Sequence, residues 1–386
     1  MKRDVDFAAR SGCDSALVLF RSEAATEFLQ RTLFLWAALA HLSAVQSASV
    51  HPPCKRFQPI YAFGDSITDT GNQVRTSPGS APASHLPYGE TYFKCPTGRY
   101  SDGRLMVDFL TTALNEGLLP PHVGLTDRTG SENFAVAGAT ALDLPSLHEI
   151  ANVTSTTPIS LDCQISSFNQ DSCEVKLSDA LVYFGEIGGN DYNYALAARR
   201  SMDVVESLIS PVMTRISTAL SDLISREVKH IVVQGQFPMG CISVYKYVLN
   251  GSATDKDGCI VSVNQISDEH NRQLKNVVLD IAGKHKDVSL LFFDTTSAYV
   301  RVLQNPKAYG FTNLFDPCYE EGLRLFLGPA FNMTLGNQTC SSPQNYINWD
   351  GVHFTEAMYR TLMRLFLERG DFASPSWNFL SGCTYF

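Results

Sequence analysis

The amino-acid sequence predicts an α/β fold, a three-layer sandwich in which a mostly parallel central sheet carries helices on both faces. Four short apolar runs have the length of buried strands: 58–63, 181–185, 229–235 and 288–294. Two long segments, 202–226 and 261–284, repeat apolar residues every three or four positions, which is typical of amphipathic helices. Alternation of strands with helices favours a parallel sheet that is covered on both sides.

The remaining elements follow in chain order. A loop over 65–87 contains three prolines, which exclude a long helix there. A helix is expected at 105–114, a second strand at 133–137, and a loop with short helices over 141–176. After 294 the chain makes an irregular excursion over 306–350 and ends in a helix at 354–368. No repeat or low-complexity linker divides the sequence, so we expect one domain at 49–386.

The composition excludes several classes of protein. Hydrophobic residues make up 44% of the chain and charged residues 18%, which is unlike a disordered protein. The formal net charge is −9, and no cluster of basic residues is dense enough for a phosphate backbone, so nucleic acid is not an expected partner. We expect a monomer that acts on a small-molecule or lipid ester and needs no cofactor or metal.

The N-terminal segment resembles a secretory leader. Residues 33–45 are apolar behind Arg31 and run into small residues at Ser47 and Ala48. Thirteen apolar residues are too few for a bilayer span but suit a signal peptide, which we place at 1–48. The polar residues 1–30 indicate either a long leader or a natural start further in; a single-span anchor is the other interpretation. We expect no stable membrane insertion after leader removal and an extracellular location, with the vacuole as the alternative.

Cysteines and glycosylation motifs agree with an oxidising compartment. Of the ten cysteines, proximity in sequence favours three pairs: Cys163/Cys173, Cys241/Cys259 and Cys318/Cys340. Nine cysteines remain after leader removal, so at least one thiol is free. Cys54, Cys95 and Cys383 are left unassigned. Four Asn-x-Ser/Thr acceptors are present: Asn152, Asn250, Asn332 and Asn337.

A candidate nucleophile lies in the turn that follows the first strand. Residues 61–72 read Tyr-Ala-Phe-Gly-Asp-Ser-Ile-Thr-Asp-Thr-Gly-Asn, which is an apolar strand that breaks into a polar loop around Ser66. A strand end and a small-residue turn can present a hydroxyl on a rigid support with room for a carbonyl. Gly64 leaves space beside it, and Asp65 and Thr68 can bond loop N–H groups. An ordinary turn would have the same features.

A candidate base lies near the other end of the chain. Asp350 and His353 are three residues apart, so the carboxylate can hold one imidazole nitrogen and leave the other for a serine proton. Two glycine turns after apolar segments, at Gly138 and before Asn190, can direct N–H donors to one point. The backbone of Ser66 and Gly138 and the side chain of Asn190 would then form an oxyanion hole.

Together these four blocks resemble the GDSL esterase/lipase family of SGNH hydrolases, in particular its plant branch. The blocks are 63–72, the Gly138 segment, 188–191 and 350–353, in the family's order, and 96–104 (Pro-Thr-Gly-Arg-Tyr-Ser-Asp-Gly-Arg) is also similar. The resemblance extends from about residue 54 to the end. It implies an SGNH/flavodoxin-like fold with Ser66 as nucleophile, Gly138 and Asn190 completing the oxyanion hole, and His353 as base oriented by Asp350. Ile67 replaces the leucine of the family name.

Three alternatives stay open at this point. The same site in an acyltransferase would use an alcohol in place of water. A catalytically silent defence or binding protein could keep the fold. A dinuclear metallophosphoesterase would need histidines at ligand spacing, which the sequence lacks beside these blocks. The resemblance favours esters of specialised metabolites over long-chain lipids. Several aromatic residues near the blocks can flank a substrate or pack in the core: Tyr88, Tyr92, Phe93, Tyr192 and Tyr194.

Overall fold

The central sheet is built from short buried strands. The computed structural model describes residues 55–127, 130–327, 339–370, 372–375, 380 and 383. Its strands are β1 (Ile60–Phe63), β2 (Glu132–Asn133), β3 (Leu181–Phe184), β4 (His230–Gln234), β5 (Ser289–Phe293), β6 (Asn313–Pro317), β7 (Tyr346–Asn348) and β8 (Ala373–Pro375). Every residue of β1 and β3 is buried, as expected for strands covered on both faces.

The strand order of the main sheet is β2-β1-β3-β4-β5-β8. The first five strands are parallel, with Ile60 opposite Leu181 and Leu181 opposite His230, while β8 pairs antiparallel with β5. In a parallel sheet all carboxyl ends lie at the same edge, so the loops after β1, β2 and β3 are neighbours. The predicted mostly parallel α/β architecture is confirmed.

Helices connect the strands and cover the sheet. The α-helices of the described residues are α1 (Asn72–Thr76), α2 (Met106–Ala113), α3 (Leu144–Ala151), α4 (Leu161–Asp171), α5 (Gly189–Ala197), α6 (Met202–Ser207), α7 (Ile209–Ser225), α8 (Ser243–Val248), α9 (Val261–Lys284), α10 (Thr295–Gln304), α11 (Glu320–Leu327) and α12 (Glu356–Arg364). A π-helical turn, Leu365–Arg369, extends α12. Among the helices of the described residues, none combines the length and apolar character that crossing a bilayer requires.

Two predicted elements differ in extent from the observed ones. The helix expected at 202–226 is two helices, because Pro211 has no N–H to donate to Ser207 and the helical hydrogen-bond pattern is interrupted at Leu208. The strand expected at 133–137 ends at Asn133. Beyond it, Phe134 and Val136 still donate to β1 and Gly64, but the N–H of Ala137 is taken by the Asp69 carboxylate.

The excursion over 306–350 folds back as a second, two-stranded parallel sheet of β6 and β7. The Cys318–Cys340 disulfide closes it. A small separate core lies beneath it, formed by Ala83, Tyr88, Tyr100, Ala137, Cys318 and Trp349. This core packs the C-terminal loop that carries Asp350 against the loop that follows β1.

Two of the three predicted cysteine pairs are present. Cys241–Cys259 and Cys318–Cys340 are disulfides. The Cys163/Cys173 prediction is wrong, since both thiols are free and exposed. Cys163 lies near the start of α4 and Cys173 follows its end; ten helical residues separate their Cα atoms by about 15 Å, whereas a disulfide needs about 6 Å.

The other cysteines and the glycosylation motifs divide between described and undescribed parts of the chain. Cys95 is a free exposed thiol, and Cys383 is in a disulfide. Asn152 and Asn250 are exposed. The motifs at Asn332 and Asn337, the leader at 1–48 and Cys54 lie outside the described residues, and the domain boundaries remain a prediction.

Candidate active site

Ser66 lies in a tight turn directly after β1. Gly64 adopts φ +139°, a conformation that side chains rarely allow, and a Cβ there would lie 2.9 Å from the carbonyl oxygen of Glu186. The close approach brings the end of β1 against the end of β3. Ser66 is 8% exposed. The turn is therefore rigid, and its hydroxyl sits in a nearly closed site.

The turn is clamped from two sides. The side-chain amide of Gln164, on α4, accepts from the Gly64 N–H at 3.0 Å and donates to the Gly64 carbonyl at 2.8 Å. The Asp65 N–H donates to the Glu186 carbonyl at 3.1 Å, and Asp65 Oδ1 accepts from the Ile67 N–H at 3.0 Å. The predicted folding back of Asp65 is thus present. Thr68 Oγ1 is buried, and no hydrogen-bond partner is found for it among the described residues.

Asp69 joins the Ser66 turn to the Gly138 turn. One carboxylate oxygen accepts from the N–H groups of Gly71 and Asn72, at 2.7 and 2.6 Å. The other accepts from Gln73 at 3.0 Å and from Ala137 at 2.8 Å. Because Asp69 is fully buried and holds four backbone donors, the two turns keep one fixed separation.

The C-terminal loop brings an imidazole to Ser66. His353 Nε2 lies 2.8 Å from Ser66 Oγ, and His353 Nδ1 lies 2.7 Å from Asp350 Oδ2 and 3.0 Å from Oδ1. These contacts assign the tautomer with the proton on Nδ1, which leaves Nε2 to accept from the serine. His353 is 2% exposed and Asp350 is fully buried. The structure thus brings together all three predicted triad residues.

The Asp350 carboxylate is kept ionised by its neighbours. Burial acts to raise its pKa, but the adjacent His353 ring and the N–H groups of Val352 and His353 hold the pKa below its ordinary value. Those N–H groups donate to Asp350 Oδ1 at 3.0 and 2.8 Å. The ring of Tyr100 lies 4.6 Å from the imidazole and shields it from water.

Two backbone donors, in the turns that follow β1 and β2, have their hydrogens available. Within the described residues, the N–H groups of Ser66 and Gly138 donate no hydrogen bond. Gly138 adopts φ +83°, and a Cβ there would meet Thr156 Oγ1 at 2.6 Å. Its carbonyl, in the peptide that follows, accepts from the Tyr194 hydroxyl at 3.0 Å. Available, oriented N–H groups beside a nucleophile are what an oxyanion hole requires.

Asn190 contacts both turns with one side-chain amide. Its Nδ2 donates to Asp65 Oδ2 and to the Ala139 carbonyl, both at 3.0 Å. An amide nitrogen has two hydrogens, so both already have protein acceptors. An oxyanion would have to share one of them. The structure places Asn190 between the Ser66 turn and the Gly138 turn, as predicted. Its two amide hydrogens, however, are used to hold these turns together.

Three buried acids lie beside these turns. Burial and the neighbouring Glu186 raise the pKa of Asp65 well above its ordinary value, and burial also raises that of Glu186. The charges of the two carboxyl groups repel each other, so ionising one opposes ionising the other. Glu186 Oε1 also accepts from the Gly189 N–H at 2.9 Å and from Gln236 at 2.8 Å. Burial raises the pKa of Asp191 to about 7, although it accepts from two backbone N–H groups.

One group in the described residues has the composition of a metal site. His122, Glu132 and Asp171 place one ligand atom each within 4.8 Å of one another. The same nitrogen, His122 Nδ1, lies 3.0 Å from Glu132 and 3.2 Å from Asp171. Because that nitrogen already bonds both carboxylates, a histidine flanked by two acids accounts for the geometry without a metal. This group lies at the β2 edge of the sheet and includes no residue of the Ser66 site.

Sequence reasoning missed the supporting residues of the site. Gln164, Asp69 and Glu186 act through contacts with segments up to 100 residues away in the chain, and no local pattern marks such partners. Tyr88 is one of the aromatic residues that the sequence predicts beside a substrate or in the core. The structure places its hydroxyl on Asp350, 262 residues away.

Comparison with known proteins identifies the family of this chain. The model of the GDSL-like lipase/acylhydrolase family matches residues 60–366. A sinapine esterase from Brassica napus is 36% identical over 359 residues, which cover 86% of this chain and 90% of the relative. A GDSL esterase/lipase from Arabidopsis thaliana is 37% identical, with 87% of this chain and 89% of the relative covered.

The solved structures that the chain matches are more distant. An acetylxylan esterase from Geobacillus stearothermophilus is 18% identical with a TM-score of 0.35, and covers 81% of this chain and 94% of its own. A phospholipase A1 from Streptomyces albidoflavus is 13% identical with a TM-score of 0.35, covering 78% and 94%. The family match and the curated relatives extend along most of the sequence. The chain therefore belongs to the GDSL-like lipase/acylhydrolase family and is a serine hydrolase of carboxylic esters.

Proposed function

We propose that this protein is a secreted esterase in which Ser66 forms the acyl-enzyme, His353 is the base, and Asp350 orients it. The observation that carries the proposal is the unbroken chain of contacts from Asp350 Oδ2 through the imidazole to Ser66 Oγ, at 2.7 and 2.8 Å. Such a chain can move one proton while the buried carboxylate stabilises the imidazolium. The free N–H groups beside Ser66 support the same reading.

The first half-reaction forms an acyl-serine. As Ser66 Oγ bonds to the ester carbonyl carbon, its proton moves to His353 Nε2 and the carbonyl electrons move to oxygen. The N–H groups of Ser66 and Gly138 stabilise this negative oxygen, and Asn190 is a third donor that shares a hydrogen already bonded to Asp65 or Ala139. The oxygen then re-forms the carbonyl, the bond to the alkoxy group breaks, and the imidazolium gives its proton to the leaving alcohol.

The second half-reaction repeats these steps with water. His353 accepts a proton from water as the hydroxide oxygen bonds to the acyl carbon. The tetrahedral intermediate uses the same donors, the bond to Ser66 Oγ breaks, and the serine takes the proton back. The products are a carboxylic acid and an alcohol, and the enzyme is restored.

Within this function we infer that the substrates are esters of small plant metabolites with aromatic acyl groups. A sinapine esterase is 36% identical along 90% of its length, which supports this class. Tyr194 is partly exposed and its hydroxyl contacts the Gly138 carbonyl, so one aromatic side chain lies at the turn that carries a predicted oxyanion donor. A panel of p-nitrophenyl acetate, p-nitrophenyl palmitate and sinapoylcholine tests this; the highest kcat/KM on the palmitate ester would overturn it.

Secretion is part of the proposal. It is supported by the apolar run at 33–45, by the Cys241–Cys259 and Cys318–Cys340 disulfides, and by exposed acceptors at Asn152 and Asn250. Expression of the full chain in plant cells should place it in the medium or the vacuole. Enzymatic deglycosylation should lower its apparent mass. A cytosolic, unglycosylated product would contradict secretion and leave the chemistry untouched.

The decisive variant is Ser66→Ala. It should lower kcat/KM for p-nitrophenyl acetate by about 10⁴-fold or more, as for other serine nucleophiles. Ser80→Ala, at an exposed serine in the loop after α1, is the matched control and should retain full activity. Turnover by Ser66→Ala at the wild-type rate would end the proposal.

Three further measurements separate the alternatives. Labelling by a fluorophosphonate should occur in the wild type and be absent in Ser66→Ala, whereas a silent binding protein would not react. Added alcohols should leave the carboxylic acid as the main product; a dominant transesterified ester would identify an acyltransferase. Activity should survive EDTA, and loss of activity would indicate a metal-dependent hydrolase.

A further inference from the structure

A buried tyrosine from a distant loop contacts the acid of the triad. The hydroxyl of Tyr88 donates to Asp350 Oδ2 at 2.8 Å, across 262 residues of sequence. Tyr88 is 1% exposed. A hydrogen bond from a neutral donor to a buried carboxylate is short and strong, because no water competes with it.

The two oxygens of Asp350 are held in different ways. Oδ1 accepts from the backbone N–H groups of Val352 and His353, which belong to the same loop. Oδ2 accepts from His353 Nδ1 and from the Tyr88 hydroxyl, and from no other group in the described residues. Tyr88 is therefore the one described group that fixes Oδ2 independently of the imidazole that Oδ2 must orient.

The tyrosine ring is itself immobilised. It packs edge-on against Tyr100, Tyr319 and Trp349, with ring centroids 5.5, 5.8 and 6.2 Å away. Its backbone N–H donates to the His85 carbonyl at 3.2 Å. Since the ring is fully enclosed and its hydroxyl has one acceptor, the donor cannot turn to another partner.

We propose that Tyr88 is a positioning residue for the Asp350–His353 pair, which fixes Oδ2 on the imidazole and moderates the negative charge that this oxygen presents to it. The inference rests on the proposed function, because it concerns the same triad. It adds a fourth member, in the order Tyr88, Asp350, His353, Ser66. Tyr88 does not touch the reacting atoms and acts only through the carboxylate.

Removing the Tyr88 hydroxyl should shift the pH dependence of catalysis in one direction. The Tyr88 hydrogen bond stabilises the carboxylate charge and so lowers the attraction between Oδ2 and the imidazolium. Removing the hydroxyl strengthens that attraction, and His353 then keeps its proton to higher pH. The acidic limb of the kcat/KM profile should therefore move upwards. At the same time Oδ2 loses its external support, and the base is oriented less well.

Other titratable groups around the pair do not reverse the expected direction of the pH shift. Burial raises the pKa of Tyr88 itself and of Tyr100, Tyr319 and Tyr359, so these phenols stay neutral across the assay range. The carboxyl groups nearby are Glu186, whose charge interacts with His353, and its neighbour Asp65. Neither is bonded to Tyr88, so both remain in place when its hydroxyl is removed.

The test compares Tyr88→Phe with Tyr183→Phe in the full-length enzyme. The Tyr183 hydroxyl is also buried and also donates to a side-chain oxygen, Gln234 Oε1 at 2.6 Å, but that acceptor is on β4. Tyr88→Phe should lower kcat on p-nitrophenyl acetate by about tenfold and raise the acidic limb by about one pH unit, the equivalent of one hydrogen bond to a charged group. Tyr183→Phe should leave both unchanged.

A second substitution keeps the test independent of folding. Replacing Tyr88 by 3,5-difluorotyrosine makes the hydroxyl a stronger donor, so the acidic limb should move to lower pH, opposite to Tyr88→Phe. Shifts of the same sign in both variants, or kcat within twofold of wild type and an unshifted profile in Tyr88→Phe, would overturn the proposal. These results are separable from failure of the proposed function, which would show as esterase activity in Ser66→Ala.

Discussion

Gly322 lies where α11 crosses behind the acid of the triad, and Gly322→Ala should disturb the site without touching it. A Cβ on Gly322 would lie 2.5 Å from the Asp350 Cβ and 3.1 Å from its Cα. Carbon atoms pack at about 3.5 Å, so one element must retreat by about 1 Å. The atoms on the Asp350 side are backbone or next to it and cannot rotate away. The displacement should therefore pass to the carboxylate that holds His353 Nδ1 at 2.7 Å.

The expected loss of activity follows from that displacement. A misplacement of about 1 Å in a catalytic constellation can cost about 100-fold, so kcat should fall by about that factor. Overpacking costs about 1–3 kcal/mol, and replacing a helical glycine by alanine returns up to about 1 kcal/mol. The free energy of unfolding should thus fall by only about 0–2 kcal/mol, and the protein should remain folded.

The assay is p-nitrophenyl acetate turnover, together with the rate of fluorophosphonate labelling and the thermal midpoint. Gly283→Ala is the matched control, since this glycine is in α9 with no atom within 4 Å of its added Cβ. It should be as active as wild type and no less stable. A folded Gly322→Ala with kcat within threefold of wild type would refute the claim that α11 backs the triad.

The remaining predictions concern the buried polar groups. Three buried acids, Asp65, Glu186 and Asp191, hold their protons more tightly in the folded protein than in the unfolded chain. The free energy of unfolding should therefore fall as the pH rises from about 4, where unfolded carboxyls ionise, through about 7, the raised pKa of Asp191. Scanning calorimetry over this range should show a slope that Glu186→Gln flattens, since an amide does not titrate and carries no charge to act on Asp65. A stability that increases with pH would contradict the assignment. Asn72→Ala should lower the free energy of unfolding in urea by about 3 kcal/mol, because the buried amide makes three hydrogen bonds, to Asn133, Ala135 and Val123. The exposed Asn250→Ala should change it by less than about 0.5 kcal/mol, and equal effects of the two would be inconsistent with the structure.

The parts of the fold that the sequence predicted are those with a local signal. Continuous apolar runs located β1, β3, β4 and β5, and the helix expected at 261–284 is observed with those bounds. The antiparallel edge strand β8 and the pair β6 and β7 have three to five residues each and no apolar alternation long enough to recognise. Their pairing depends on tertiary contacts.

The same division holds at the candidate site. Ser66, Gly138, Asn190, Asp350 and His353 lie in short motifs whose chemistry is readable one block at a time. The residues that support them lie in no such motif. Asp69 and Gln164 are ordinary polar residues until the fold brings distant N–H and carbonyl groups to them, and the use of both Asn190 hydrogens is a matter of geometry alone.

The contact between Ser66 and His353 spans 287 residues of chain. At about 5–20 residues per second, a ribosome needs about 15–60 s to add the imidazole after the serine has been made. Until then Ser66 lacks the imidazole that takes its proton in the finished fold. Synthesis order thus withholds the base of the triad from the unfinished chain.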